Sequence, residues 1–183
     1  MNEVQPIRNI KHINAIKKAL HGRDQLLFIF GINSGLRISD ILKIKVGDVR
    51  DKDSIVVQET KTSKPKRFVF NHSIKNAVSE IVPATADDNE YLFKSRKGDN
   101  KPISRVAAWR ILNDAADRAG VADKIGALGT HSLRKSFGYH AYKNGTDITL
   151  LQSIFNHSSQ KDTLRYIGIN QDMIDEVYVN INL

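Results

Sequence analysis

Thr130-His131-Ser132-Leu133-Arg134-Lys135-Ser136-Phe137-Gly138-Tyr139-His140 is the stretch from which the fold can be worked outward. Leu133, Phe137 and Ala141 recur at four-residue spacing, a buried stripe on a helix for which Thr130 is the expected N-cap. His131 and Arg134 lie three apart and share a face near the helix N-terminus. That end carries unpaired N–H groups and partial positive charge, which suits a phosphate. The arginine adds a charged fork matched to phosphate oxygens, and the histidine adds a group that exchanges a proton near neutral pH. A basic surface helix can carry His-x-x-Arg by chance, so the flanking chain has to decide.

The chain has 183 residues, enough for one domain with a real core, and a formal net charge of +8 with a pI near 9.7. A basic balance of this size points to a polyanion, most often nucleic acid. There is no cysteine, which excludes disulfides and thiol catalysis and fits a reducing compartment. The longest apolar run, Leu26 to Ile32, is too short to span a bilayer, and the N-terminus lacks a signal-peptide core. The expected setting is the cytoplasm, associated with DNA and not with a membrane.

Upstream, Ile7, Ile10, Ile13, Ile16 and Leu20 mark an amphipathic helix ended near Gly22. Leu26 to Asn33 is a more buried helix closed by Gly35 in a left-handed position. In Ser34-Gly35-Leu36-Arg37-Ile38-Ser39-Asp40, Ser39 is the expected cap of a short third helix, which leaves Arg37 at a helix–helix elbow with apolar neighbours. A buried arginine there needs an anion. Ser54 to Glu59 and Arg67 to Phe70 read as strands of a hairpin, with the turn Thr60-Lys61-Thr62-Ser63-Lys64-Pro65-Lys66 between them. A helix over Ile74 to Ile81 ends before Pro83, and Tyr91-Leu92-Phe93 is a short apolar piece able to extend the sheet. Ser104 caps a helix that ends at Gly120, with Arg105 and Trp109 on its flank. After the central helix, Asp147 caps one that runs to Phe155, and Ser159 caps another carrying Tyr166. Met173, Ile174, Val177 and Ile181 stripe a final segment. The expectation is a mainly α domain with a small antiparallel β-hairpin or three-stranded sheet, an α+β arrangement.

Taken in order, Arg37, a hairpin lysine, His131 with Arg134, His157 and Tyr166 resemble the catalytic domain of the tyrosine recombinase (phage integrase) family. Three boxes carry the resemblance: Ser34 to Asp40, His131 to Phe137, and Leu150 to Ser159 followed by Tyr166, nine residues after His157. The resemblance as a whole runs from about Ile7 to Tyr178. The third box departs from the family's Leu-Gly-His, reading Phe155-Asn156-His157. Asn tolerates the left-handed backbone that Gly would supply, so the turn can survive.

The resemblance implies a tyrosine recombinase catalytic-domain fold and an enzyme that cleaves and rejoins DNA through a 3′-phosphotyrosine, without a metal or other cofactor. A phenol of pKa ~10 is only about 0.1% ionised at pH 7, so Tyr166 needs a proton acceptor and a neutralised phosphate. Arg37 and Arg134 would grip the non-bridging oxygens. By family analogy His131 accepts the tyrosine proton or orients the phosphate, His157 donates a further hydrogen bond, and Asp40 orients His131. The general acid for the leaving 5′-oxygen would be a hairpin lysine; Lys61 is favoured, because Lys61-Thr62 directly after the strand matches the family's placement. Lys64, Lys66, Arg105 and Lys135 are then expected to contact DNA. The partners implied are double-stranded DNA, further copies in a dimer or cyclic tetramer, and accessory DNA-bending proteins. The family's separate N-terminal core-binding domain is not found in residues 1–183, which are expected to form a single catalytic domain, either of a fragment or of a naturally short recombinase. Two rival readings are a DNA-binding regulator that keeps the fold without strand exchange and a type IB topoisomerase-like enzyme that relaxes DNA.

Overall fold

The computed structural model describes residues 4–60, 65–126, 128–169 and 171–181. Ten α-helices and one hairpin follow one another among them: α1 (Ile10–Lys18), α2 (Gly22–Ser34), α3 (Ile38–Ile41), β1 (Ser54–Gln58), β2 (Pro65–Val69), α4 (His72–Ile81), α5 (Arg105–Arg118), α6 (Ala122–Ile125), α7 (Thr130–Lys143), α8 (Ile148–Phe155), α9 (Gln160–Ile167) and α10 (Gln171–Asn180).

Helix α2 is apolar nearly all round and runs through the centre, packed against α4 on one side and α7 on the other. Its Phe30 sits edge-on to Phe68, Phe70 and Phe93, which joins the hairpin and α4 to one core. Its Phe28 faces the opposite way, into a second core with Ile16 of α1, Leu112 of α5 and Leu133 of α7. A third, smaller core of Leu151, Phe155 and Ile167 gathers Phe137 and Tyr166 where α7, α8 and α9 meet. An extended segment before α1 straps these helices: the Ile7 N–H donates to Ser136 Oγ at 2.7 Å, and Arg8 donates to the Gly168 carbonyl at 2.8 Å.

Of the two sheet forms expected, the hairpin is the one found among the described residues, because Tyr91 makes only an isolated bridge to Lys45. Three expectations are corrected. Strand β2 begins at Pro65, so Lys66 lies in the ladder opposite Val57 instead of in the turn. Helix α3 starts at Ile38 with Arg37, not Ser39, in the extended cap position. Helix α7 is capped at Gly129, whose N–H donates to Ser132 Oγ at 3.1 Å, so Thr130 is already helical.

Two glycines permit close approaches that shape the site. Gly35 closes α2 at φ 61°, and a Cβ there would lie 2.7 Å from the Phe137 ring. Gly138 faces Phe155 and Ile167, where a Cβ would come within 2.6 and 2.5 Å of their side chains. Both neighbours are fully buried, in an interior where little space is left for a side chain to give way. Gly138→Ala is therefore expected to cost about 1–3 kcal/mol by overpacking. It should lower the midpoint of thermal unfolding and loosen the α9 segment that carries Tyr166. An unchanged melting temperature would show that α8 and α9 can shift freely.

Candidate active site

Arg134 projects from the first turns of α7 and is only 2% exposed. Its Nη1 donates to the carbonyl of Gly35, the closing residue of α2, at 2.6 Å, and its Nη2 to that of Phe155, the last residue of α8, at 3.0 Å. Helix C-termini leave carbonyls unpaired at the negative end of the helix dipole, so two such ends make a natural seat for a guanidinium. The Phe155 ring adds a cation–π contact, with its centroid 4.7 Å from the guanidinium carbon.

Arg37 reaches the same place from the α2–α3 elbow, and the anion its setting demanded is Glu59, just past the end of β1. Glu59 is 1% exposed, with Oε1 3.0 Å from Arg37 Nη1. No aligned hydrogen bond satisfies that guanidinium nitrogen, although it is buried. The other oxygen of Glu59 accepts from Asn156 Nδ2 at 2.7 Å. Asn156 adopts the expected left-handed backbone, at φ 53°. Strand alternation puts Lys66 on the inward face of the hairpin beside Phe68, and its ammonium donates to the Ile154 carbonyl at 2.5 Å. Burial first, then the charge of Arg134, pull the Lys66 pKa down to about 8.

Tyr166, half-buried on α9, brings its hydroxyl to 3.5 Å from His131 Nδ1. Burial raises the phenol's pKa, with the charge of Arg134 and its hydrogen bond to the hydroxyl opposing. One side of the His131 ring is open to solvent. Desolvation of the other side, then the charges of Arg134, Lys135, Arg37 and Arg105, lower its pKa. The imidazole is thus mostly neutral at pH 7 and able to accept a proton. His157 stands edge-on to the Tyr166 ring, 4.9 Å between centroids, with Nδ1 3.1 Å from Thr163 Oγ1.

Arg37, His131 with Arg134, His157 and Tyr166 thus converge from four separate places in the chain. Two expectations are corrected. Asp40 does not reach His131: its Oδ1 accepts from the backbone N–H of Thr60 at 3.0 Å and from the Thr60 hydroxyl at 2.7 Å, which pins the start of the hairpin turn. Lys135 is not a surface cation. It is 4% exposed, and its ammonium lies 5.2 Å from the Tyr166 ring centroid, because α7 turns that face towards α9. Arg105 is exposed and shares a shallow hollow with Trp109, Thr130 and His131. Lys61 and Lys64 lie outside the described residues. Glu59 escaped the sequence reading, yet Ile55, Val57 and Glu59 alternate along one strand face, and a carboxylate continuing an inward stripe is a signal. No group of three or more His, Asp or Glu side chains able to hold a metal gathers among the described residues.

Two arginines, a neutral histidine and a tyrosine hydroxyl gathered around one point are groups that phosphoryl transfer to a phenol would call on. Residues 4–173 match the model of the phage integrase family, and the chain belongs to that family of tyrosine recombinases. It is 48% identical to the probable integrase/recombinase YoeC of Bacillus subtilis, over 97% of each chain. It is 31% identical to the tyrosine recombinase XerD of Corynebacterium glutamicum, covering 85% of this chain and 51% of that one, so it spans about half the length of this second relative. The crystal structure of XerA recombinase superposes with a TM-score of 0.79 at 20% identity, over 100% of this chain and 66% of that one.

Proposed function

We propose that this chain is the catalytic domain of a site-specific DNA recombinase that acts in the cytoplasm. The observation that carries the reading is the Tyr166 hydroxyl, set against a neutral His131 and beside Arg134. The Tyr166 oxygen attacks the scissile phosphorus while the bond to the 5′-oxygen breaks, leaving a 3′-phosphotyrosine and a free 5′-hydroxyl. His131 accepts the phenolic proton. Arg37 and Arg134 neutralise the non-bridging oxygens as charge builds on them. Attack by another strand's 5′-hydroxyl reverses the steps, so the phosphodiester is conserved and no external energy source is consumed. His157, edge-on to Tyr166, steadies the ring and donates to the phosphate. Lys61 protonates the leaving oxygen, with Lys64 and Arg105 on the flanking DNA backbone. A second assignment of the acid rests on Lys66, whose ammonium already lies inside the site with a pKa of about 8.

A duplex nicked just beyond the cleavage point tests the reading. Release of the short 5′-ended piece should trap the protein on DNA as a species that survives denaturation. Binding without a trapped species would favour a regulator that keeps only the fold, and relaxation of supercoiled circles without strand exchange would favour a topoisomerase.

Double-stranded DNA and further copies of the chain are the partners in this reading. In α10, Val177, Tyr178 and Val179 are 55, 79 and 75% exposed, and Ile181 just beyond is 57% exposed. Of the other two members of the expected stripe, Met173 is half-buried and the side chain of Ile174 lies outside the described residues. A lone helix of this length is marginal in water, so a neighbouring copy is the fitting surface for these side chains in a cyclic assembly on DNA. Deleting residues 170–183 is expected to leave a soluble, folded protein whose cleavage rate no longer depends on protein concentration. Sedimentation and cleavage measured over one dilution series check this. Outright unfolding of the truncated chain would show that the tail is core within its own copy.

A further inference from the structure

We propose that Glu59 and Asn156 form a positioning pair that holds Arg37 in its phosphate-gripping place and ties it to the segment carrying His157; the proposal deepens the recombinase reading and rests on it. Glu59 is a buried carboxylate, and burying one is costly unless it is paired and hydrogen-bonded. It is shared between two chain-distant elements, ion-pairing with Arg37 through Oε1 and accepting from Asn156 Nδ2 at 2.7 Å through Oε2. With one oxygen fixed by the amide, the other is held towards the guanidinium. Arg37 Nη1 is the buried nitrogen turned to Glu59, which leaves the exposed part of the guanidinium, on a side chain 16% exposed, to meet a phosphate oxygen.

Asn156 has two tasks that a glycine could only half fulfil. Its left-handed backbone, at φ 53°, makes the turn that ends α8 and brings His157 round to Tyr166. Its side chain reaches across 97 positions of sequence to the end of β1. Glycine at 156 would relieve the backbone and delete only the amide. Asn156→Gly therefore isolates the side-chain link while favouring the turn. Glu59→Gln keeps the shape and removes the charge.

The test is single-turnover cleavage of the nicked duplex by wild type, Asn156→Gly, Glu59→Gln and the double variant, each with a thermal melt. The substrates carry a normal phosphate or a methylphosphonate at the cleavage point. Methylphosphonate has one non-bridging charge fewer, so it depends less on Arg37. On normal phosphate both single variants are expected to cleave about 10- to 100-fold more slowly, the range a misplaced electrostatic group gives. The double variant should be no worse than Glu59→Gln. On methylphosphonate the deficits should shrink, whereas a purely structural defect would persist on both substrates. Equal deficits on the two substrates, or wild-type rates for both variants at normal melting temperature, would overturn the proposal. Absence of any adduct from wild type would strike the recombinase reading itself.

Discussion

Tyr166→Phe is expected to abolish the covalent protein–DNA adduct completely while duplex binding and the melting temperature stay as in wild type. The ring's packing survives the change: Phe155 lies tilted against it, His157 meets it edge-on, and the Lys135 ammonium lies over its face. What disappears is the one oxygen that faces His131 and Arg134. Losing the nucleophile leaves nothing that a weaker interaction could replace, so the effect is a full loss and not a reduced rate. Denaturing electrophoresis of the nicked duplex after incubation reads it directly. A trapped species that persists would mean that another hydroxyl attacks, with Tyr142 and Tyr178 as the next candidates.

The second large effect concerns the leaving group. An alkoxide is a poor leaving group, and a general acid that protonates it contributes about 10²- to 10⁴-fold. Lys61→Ala should lose a factor in that range on ordinary DNA. A bridging 5′-phosphorothiolate should restore the rate, since a thiolate leaves without a proton. Lys66 makes a sharp rival, because with its pKa near 8 it is mostly protonated at pH 7 and loses its proton as the pH rises through 8. If Lys66 is the acid, the wild-type rate falls above that pH on ordinary DNA but not on the thiolate substrate. Rescue of Lys66→Ala in place of Lys61→Ala would then move the role.

Much of the site was legible because it is written in local signals. The three boxes place Arg37, Arg134, His157 and Tyr166 at a helix elbow, in a first turn and beside helix caps, where short-range rules are strong. Gly35 and Asn156 were readable for the same reason, since a left-handed backbone narrows the residue choice. What was not legible depends on contacts between distant segments. Asp40 bonds Thr60, and Lys135 lies against Tyr166, because of how the hairpin and α9 pack, and no spacing along the chain reveals that. Lys66 was misplaced by one boundary: the strand starts two residues before the apolar run shows it, since a lysine stem fits an inward position when its ammonium finds a carbonyl.

The seat of Arg134 has a consequence for what a damaged copy of this protein can do. The guanidinium is held by carbonyls at the ends of α2 and α8 while riding on α7. A chain in which any of these helices has come away still displays a tyrosine, but the guanidinium is no longer held beside it. In the recombinase reading, competence to cut is thereby conditional on the assembly of three helices.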